Sequence, residues 1–335
     1  MKSQNDTIQK TQSLDEFIND VIKDCIKEQI AGGMEEKQIL EHWNKKLPNI
    51  YEKIINKAAV NHLEDIKKRL YEISMKHRLR DNVFQAHQDQ KWGKCFAASE
   101  VMYELSIEIA NDYTTYVAEE ISKIEQKEYQ YTYATFVHIH GRVCQIYLEI
   151  LCLIKNGFAD GALARFRTMY ELCYIADFIK TAGEETALAY LQQSNTDNQK
   201  CSWAKNAPCF AHKSKNFKPT LLAIRKSCDF TEKWEKQHKA GCFVNHASPQ
   251  GTLKRLANID GMNMIPVGKS DYGITDPAVN SAIILAIVTA MFVAIFPNTE
   301  TLAKSTMLTH WSHIIRKMYL STDQELFAQL NNKGV

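Results

Sequence analysis

Apolar residues along this chain recur at three- and four-residue intervals, and no two-residue alternation persists, so the pattern predicts helices from end to end. The densest stretch is 131–181. Between Val143 and Ile154 only Gln145 and Glu149 interrupt the apolar run, so this helix must be covered by protein on nearly every side. Asn156-Gly157 is placed to end it with a left-handed cap, a second apolar helix follows from about Asp160 to Thr181, and Gly183 stands just beyond. Two such helices joined by so short a turn predict an antiparallel hairpin at the centre of an all-α, multi-helix bundle.

Ahead of the hairpin the pattern is more polar. Ser13 with Asp15 and Glu16 marks a helix start that runs to Gly32-Gly33; a second helix is expected up to Pro48 and a third from Ile50 to about His77. These three are amphipathic and highly charged, a solvated layer or arm with one buried side. Composition changes near Trp92, where a long amphipathic helix begins, so the division expected is a charged N-terminal region, 1–90, and a main helical domain, 91–335. After the hairpin come a helix from Glu184 to about Lys205, a basic segment, a glycine-rich connection over 258–276, and two last helices from Pro277 and from about Glu300 to Leu320. A connection that long in a helical protein is more often functional than idle.

With 335 residues the chain can bury a large core. Apolar residues at 45%, charged residues at 24% and a net charge of +2 are those of an ordinary globular protein and carry no global polyanion signal. Nine cysteines stand singly, without a CxxC pair, and the amino terminus has no apolar signal core; a cytoplasmic location with reduced thiols is expected. The uncharged run after Pro277 is long enough to span a bilayer. Asn280, Ser281 and Thr289 dilute it, no basic cluster flanks it, and Asp276-Pro277 reads as a helix cap and first turn, so a buried helix without stable membrane insertion is expected.

The candidate chemistry lies in the polar residues of the hairpin. His138, Arg142, Gln145 and Glu149 share one side of the first helix, and Arg167, Glu171 and Tyr174 share one side of the second. If the two sides face each other, buried charges must be paired or must open on a cleft. Paired, they form a core network, Arg142 with Glu171 and Arg167 with Glu149. Opened, arginines hold a phosphate or carboxylate while a carboxylate or histidine moves protons. His246, where a helix gives way to the Ser248-Pro249 turn, is the expected acid or base, with Asn245 and Ser248 beside it. The catalytic set expected is Arg167, Glu171 and His246, and the binding set is Arg142, Glu149, His138, Asn245 and Ser248. His138 and His140 project about 200° apart and cannot share one metal; no metal and no cofactor is expected. Residues 200–239 hold ten Lys/Arg interleaved with Trp203, Phe210, Phe217, Phe230 and Trp234. That composition suits RNA or a nucleotide, or a plain solvated basic face. Homo-oligomerisation is compatible with the pattern.

Several motifs resemble an uncharacterised bacterial family of all-helical proteins: Gln90-Lys91-Trp92, the step from Arg167 to Glu171 in Ala164-Arg165-Phe166-Arg167-Thr168-Met169-Tyr170-Glu171, Phe243-Val244-Asn245-His246-Ala247-Ser248, and Tyr272-Gly273-Ile274. The resemblance spans about residues 90–300 and carries no agreed activity. A broader one is to the HEPN helical superfamily, many of whose members are toxin or phage-defence ribonucleases. Those carry a histidine four to six residues after an arginine on one helix; here Arg167 and His246 stand on distant segments. Together these imply a defence or toxin-type effector that cleaves or binds RNA or a nucleotide without a metal. The competing expectation is a non-enzymatic helical interaction module whose polar network is structural.

Overall fold

The computed structural model describes residues 19, 23, 26–27, 30–33, 35–196, 201–228, 235–245, 249–253, 255–256 and 267–332. Among them there are α-helices and two short 3-10 turns and no strand. The chain divides into two compact units, Met1–Asp81 and Asn82–Val335.

The first unit contains α1 (Glu36–Lys68) and the opening turns of α2 (Leu70–Glu119). The break expected at Pro48 is absent. A proline removes one backbone donor, and the helical ladder continues on either side of it. Ile54 is buried, whereas Ile55, Leu63, Ile66 and Leu70 are exposed and interleaved with Lys67–Glu64 and Arg69–Asp65 pairs. Among the described side chains of this region the expected buried side is therefore largely missing.

In the second unit the compositional change near residue 90 is not a chain break. It marks where α2 enters the core, since every buried residue of this helix lies at or after Gln88. The capping box Ser122/Glu125 opens α3 (Lys123–Glu128), a separate short helix between the long amphipathic helix and the hairpin. The hairpin follows as α4 (Gln130–Lys155) and α5 (Ala159–Ala182). Its turn is a Schellman motif: Gly157 has φ +77°, Gly157 N–H donates to Ile154 O at 3.0 Å, and Phe158 N–H donates to Leu153 O at 2.8 Å. At its N-terminus α4 has no side-chain cap from Tyr129. The carboxylate of Glu184, which opens α6 (Glu184–Gln193), instead accepts from Tyr131 N–H and Thr132 N–H at 2.8 Å each, tying the far end of the hairpin to its start.

Beyond these come 3-10 turns at Ser202–Ala204 and Pro208–Phe210, α7 (Leu221–Lys226), α8 (Glu235–Asn245), α9 (Pro249–Leu253), α10 (Thr275–Val293) and α11 (Thr299–Asn332). Helix α6 stops about three turns short of the expected Lys205, and α11 runs past Leu320. The N-cap of α10 is Ile274, not Asp276, which lies inside the first turn with Pro277. By length and composition both α4 and α10 could cross a bilayer; in this fold 50% and 72% of their most apolar windows are buried. Helix α10 packs across both arms of the hairpin and against α11. Two of its buried hydroxyls are satisfied locally, Ser281 Oγ donating to Ala278 O and Thr289 Oγ1 to Leu285 O, whereas Thr275 Oγ1 is buried without a partner among the described residues.

Two aromatic side chains lock distant elements through their polar ends. Tyr113 on α2 is fully buried, and its oxygen accepts from Phe296 N–H at 2.9 Å, just past α10. Tyr113→Phe keeps the ring and orphans that N–H, so it is expected to cost about 1–2 kcal/mol in chemical denaturation; a cost near zero would mean that water replaces the hydroxyl. The outlying motifs of the sequence also meet: Lys91 pairs with Asp271, and Trp92 Nε1–H donates to Asp271 O at 3.2 Å.

Candidate functional site

Arg165 and Arg167 stand two residues apart on α5, so they leave opposite sides of the helix, and this splits the expected cluster in two. On one side Glu149 pairs with Arg165 and, at 3.5 Å, with Arg142, which also donates to Gln145 Oε1 at 2.7 Å. Arg142 is 43% exposed, Glu149 34%, and His138 is exposed. These residues, expected inside the bundle, line its outer flank and fasten the hairpin arms where pairing is weak in water. Neither Arg142–Glu171 nor Arg167–Glu149 forms. The buried histidine of α4 is His140, on the opposite side from His138.

The other side of α5 carries the second cluster. Arg167 Nε and Nη2 both reach Glu171 Oε1 at 3.0 Å, one helical turn apart. Helix α8 lies directly on this surface. A Cβ on Gly241 would sit 3.1 Å from Arg167 Cβ and 3.2 Å from Leu163 O, so a larger residue here would push the two helices apart by a few tenths of an ångström. That approach sets His238, one turn earlier on α8, with Nε2 3.7 Å from Glu171 Oε1 and its ring 5.5 Å from that of Tyr170. Arg225, from the last turn of α7, places Nη1 3.0 Å from His238 Nδ1. A guanidinium can only donate, so Nδ1 is the acceptor and the ring proton sits on Nε2, toward Glu171. Cys242 Sγ lies 3.8 Å from the same Nδ1.

The side chains of Arg167, Glu171 and His238 are 22%, 19% and 15% exposed, too little for water to screen them fully, and His238 Nε2 is buried with Glu171 beyond hydrogen-bond distance. Burial, the largest single influence on Glu171, pushes its carboxyl up. The His238 and Arg167 side chains facing it outweigh that, and the net direction is down, so Glu171 is ionised at neutral pH. Burial raises the Tyr174 phenol, and the Glu171 charge adds to the effect.

Of the residues expected to carry function, the structure joins Arg167 to Glu171 and places Arg142, Glu149 and His138 elsewhere. The Asn245 side chain, His246 and Ser248 lie outside the described residues. His238 and Arg225 escape a reading of the sequence because both belong to the basic segment, which reads as one patch. The available signal is His238-Lys239-Ala240-Gly241-Cys242: a histidine one turn from a mid-helix glycine, which marks a close packing contact.

The basic segment is folded over an aromatic cluster. Trp203 and Phe210 are buried against Phe178, so two of the rings expected for stacking belong to the core; Phe217 stays half-buried beside Phe210, at 5.1 Å between ring centres. Phe230 and Trp234 lie outside the described residues.

Residues 133–261 match DUF5677, a family of unknown function. The match supports the likeness to an uncharacterised family over a shorter stretch than 90–300, and it contains Arg167, Glu171, Arg225 and His238. No curated protein and no solved structure matches the chain.

Proposed function

We propose that the chain is an effector of the bacterial defence or toxin type that binds RNA or a nucleotide and cleaves it at the centre formed by Glu171, His238 and Arg225. The supporting observation is the position of one imidazole, with a carboxylate 3.7 Å from Nε2 and a guanidinium 3.0 Å from Nδ1. A carboxylate behind a histidine fixes its tautomer and steadies the imidazolium that forms when the opposite nitrogen takes a proton. A guanidinium beside that nitrogen draws a phosphate to it.

When a phosphodiester takes over the Arg225 N–H groups, Nδ1 is released to accept a proton from the RNA 2′-hydroxyl. The 2′-oxygen bonds to phosphorus, the bond to the 5′-oxygen breaks, and solvent protonates the departing oxygen. Arg167 positions Glu171 through its doubled contact, and Arg225 faces the developing charge. These groups suffice without a metal. His238 takes the part read from the sequence for His246. The action belongs in the cytoplasm, where RNA is.

The test is incubation of the purified chain with labelled single-stranded RNA in a chelating buffer. Cleavage is expected, and His238→Gln should slow it about a hundredfold, the scale of one proton-transfer group, while melting close to wild type. Unchanged cleavage by His238→Gln, or no cleavage of RNA or nucleotide by the wild-type chain, overturns the reading.

A second reading, an interaction module, is favoured by the Arg167–Glu171 contact, in which two guanidinium N–H groups already meet one carboxylate oxygen. It expects Arg167→Ala to lower the melting temperature and surface changes in 200–239 to abolish partner binding, with no turnover in either case.

A further inference from the structure

The stretch 201–228 contains Lys205, Lys213, Lys215, Lys218, Arg225 and Lys226 and no acidic residue; the first to follow it is Asp229. Several lysines elsewhere have acidic partners: Lys67 with Glu64, Lys76 with Glu72, Lys155 with Glu100, Lys304 with Asp112. Lys205, Lys215 and Lys218 have no carboxylate within ion-pair distance among the described residues. They surround a cleft of about 510 Å³ whose remaining lining includes Ser202, Asn216, Phe217 and Pro219. Its wall is fixed from behind, because Gln193 Oε1 at the end of α6 accepts from Ser202 Oγ at 2.7 Å and from Trp203 N–H at 3.0 Å. Phe217 presents a half-buried ring to the cleft while resting on Phe210.

Three like charges held around one concavity repel each other and attract a polyanion. A ring in the same wall adds what a carboxylate-bearing peptide would not use, a flat apolar surface for a nucleobase. The volume is that of a small-ligand site and suits one base against Phe217, with the phosphates of the strand running past the three lysines at its rim.

We infer that the Lys205/Lys215/Lys218 cleft holds a single-stranded RNA segment, with the lysines on successive phosphates and a base against Phe217. This deepens the proposed function and rests on it for the identity of the ligand as RNA.

The test is fluorescence anisotropy of a labelled twelve-nucleotide oligouridylate with the full chain over a range of salt. Lys205→Ala/Lys215→Ala/Lys218→Ala should weaken binding at least tenfold and flatten the logarithmic salt dependence by about 2, at about 0.7 for each phosphate that no longer meets a lysine. Phe217→Leu should weaken binding about tenfold at an unchanged salt slope, since stacking releases no counterions. Melting curves of both variants check that the aromatic cluster survives. The inference fails if the triple variant keeps wild-type affinity and slope, or if poly-glutamate of equal charge displaces the oligonucleotide as well as unlabelled RNA does while Phe217→Leu binds normally. RNA that binds through the cleft and is never cleaved removes the proposed cleavage and leaves the cleft standing. RNA cleaved equally well by the triple variant removes the cleft alone.

Discussion

Gly157→Ala is expected to destabilise the 82–335 unit by about 3 kcal/mol and to lower its melting temperature by roughly 10 °C. Two independent costs combine. The residue has φ +77°, where a side chain is strained. An added methyl would also lie 2.5 Å from Phe84 Cζ and within 2.8 Å of Ser270 N and O. Those neighbours have little room, because Ser270 N–H donates to Gly157 O at 3.0 Å. The substitution therefore strikes the hairpin turn, α2 and the segment before α10 together. Thermal unfolding followed by circular dichroism measures it; a loss below about 1 kcal/mol would show that these elements part without cost.

Acidification from pH 7 to pH 4 is expected to remove about 3 kcal/mol through His140 alone. The ring is 4% exposed between α4 and α10, 3.1 Å from Thr289 Oγ1. Since the threonine proton is engaged by Leu285 O, the hydroxyl accepts from His140 Nε2–H and the ring is neutral. Burial pulls its pKa from 6.5 down to about 4. A depressed folded value means the unfolded chain takes up the proton first. The stability is present above 6.5, is lost progressively as pH falls toward 4, and the loss levels off below that. Neighbouring Cys144, pushed up to about 12 by burial, stays a thiol throughout. His140→Gln should flatten this part of the stability curve in denaturant titrations at fixed pH; equal slopes in both chains would place the proton uptake elsewhere.

Much of the architecture is legible in the sequence because it depends on local rules. Asn156-Gly157 and Gly183 end helices as their backbone freedom requires, and an uncharged run such as 277–293 has to be buried or in lipid. The pairing of charges is less legible. Placing Arg167 opposite Glu149 assumes that the two polar stripes face each other. Which stripe faces inward is set by the whole ring of neighbours, and α10 takes the inner face while Arg142 and Glu149 are left outside. Pro48 resembles a terminator because its penalty is local, whereas the helix around it is set by more than one residue. His238 is hidden for a related reason. A histidine among lysines looks like surface until the contact made by Gly241 brings α8 down onto α5.

The expected role of the Glu171–His238 pair depends on ligand reaching the ring. The direct measurement is a histidine-ring nuclear magnetic resonance titration of the full chain with the twelve-nucleotide RNA, the His238 signal being assigned by its disappearance in His238→Gln. The expected result is a saturable shift of that signal that follows RNA occupancy, as phosphate replaces Arg225 at Nδ1. A His238 signal that stays fixed while RNA saturates the chain would contradict it, and would leave Arg167, Glu171 and His238 as a structural network.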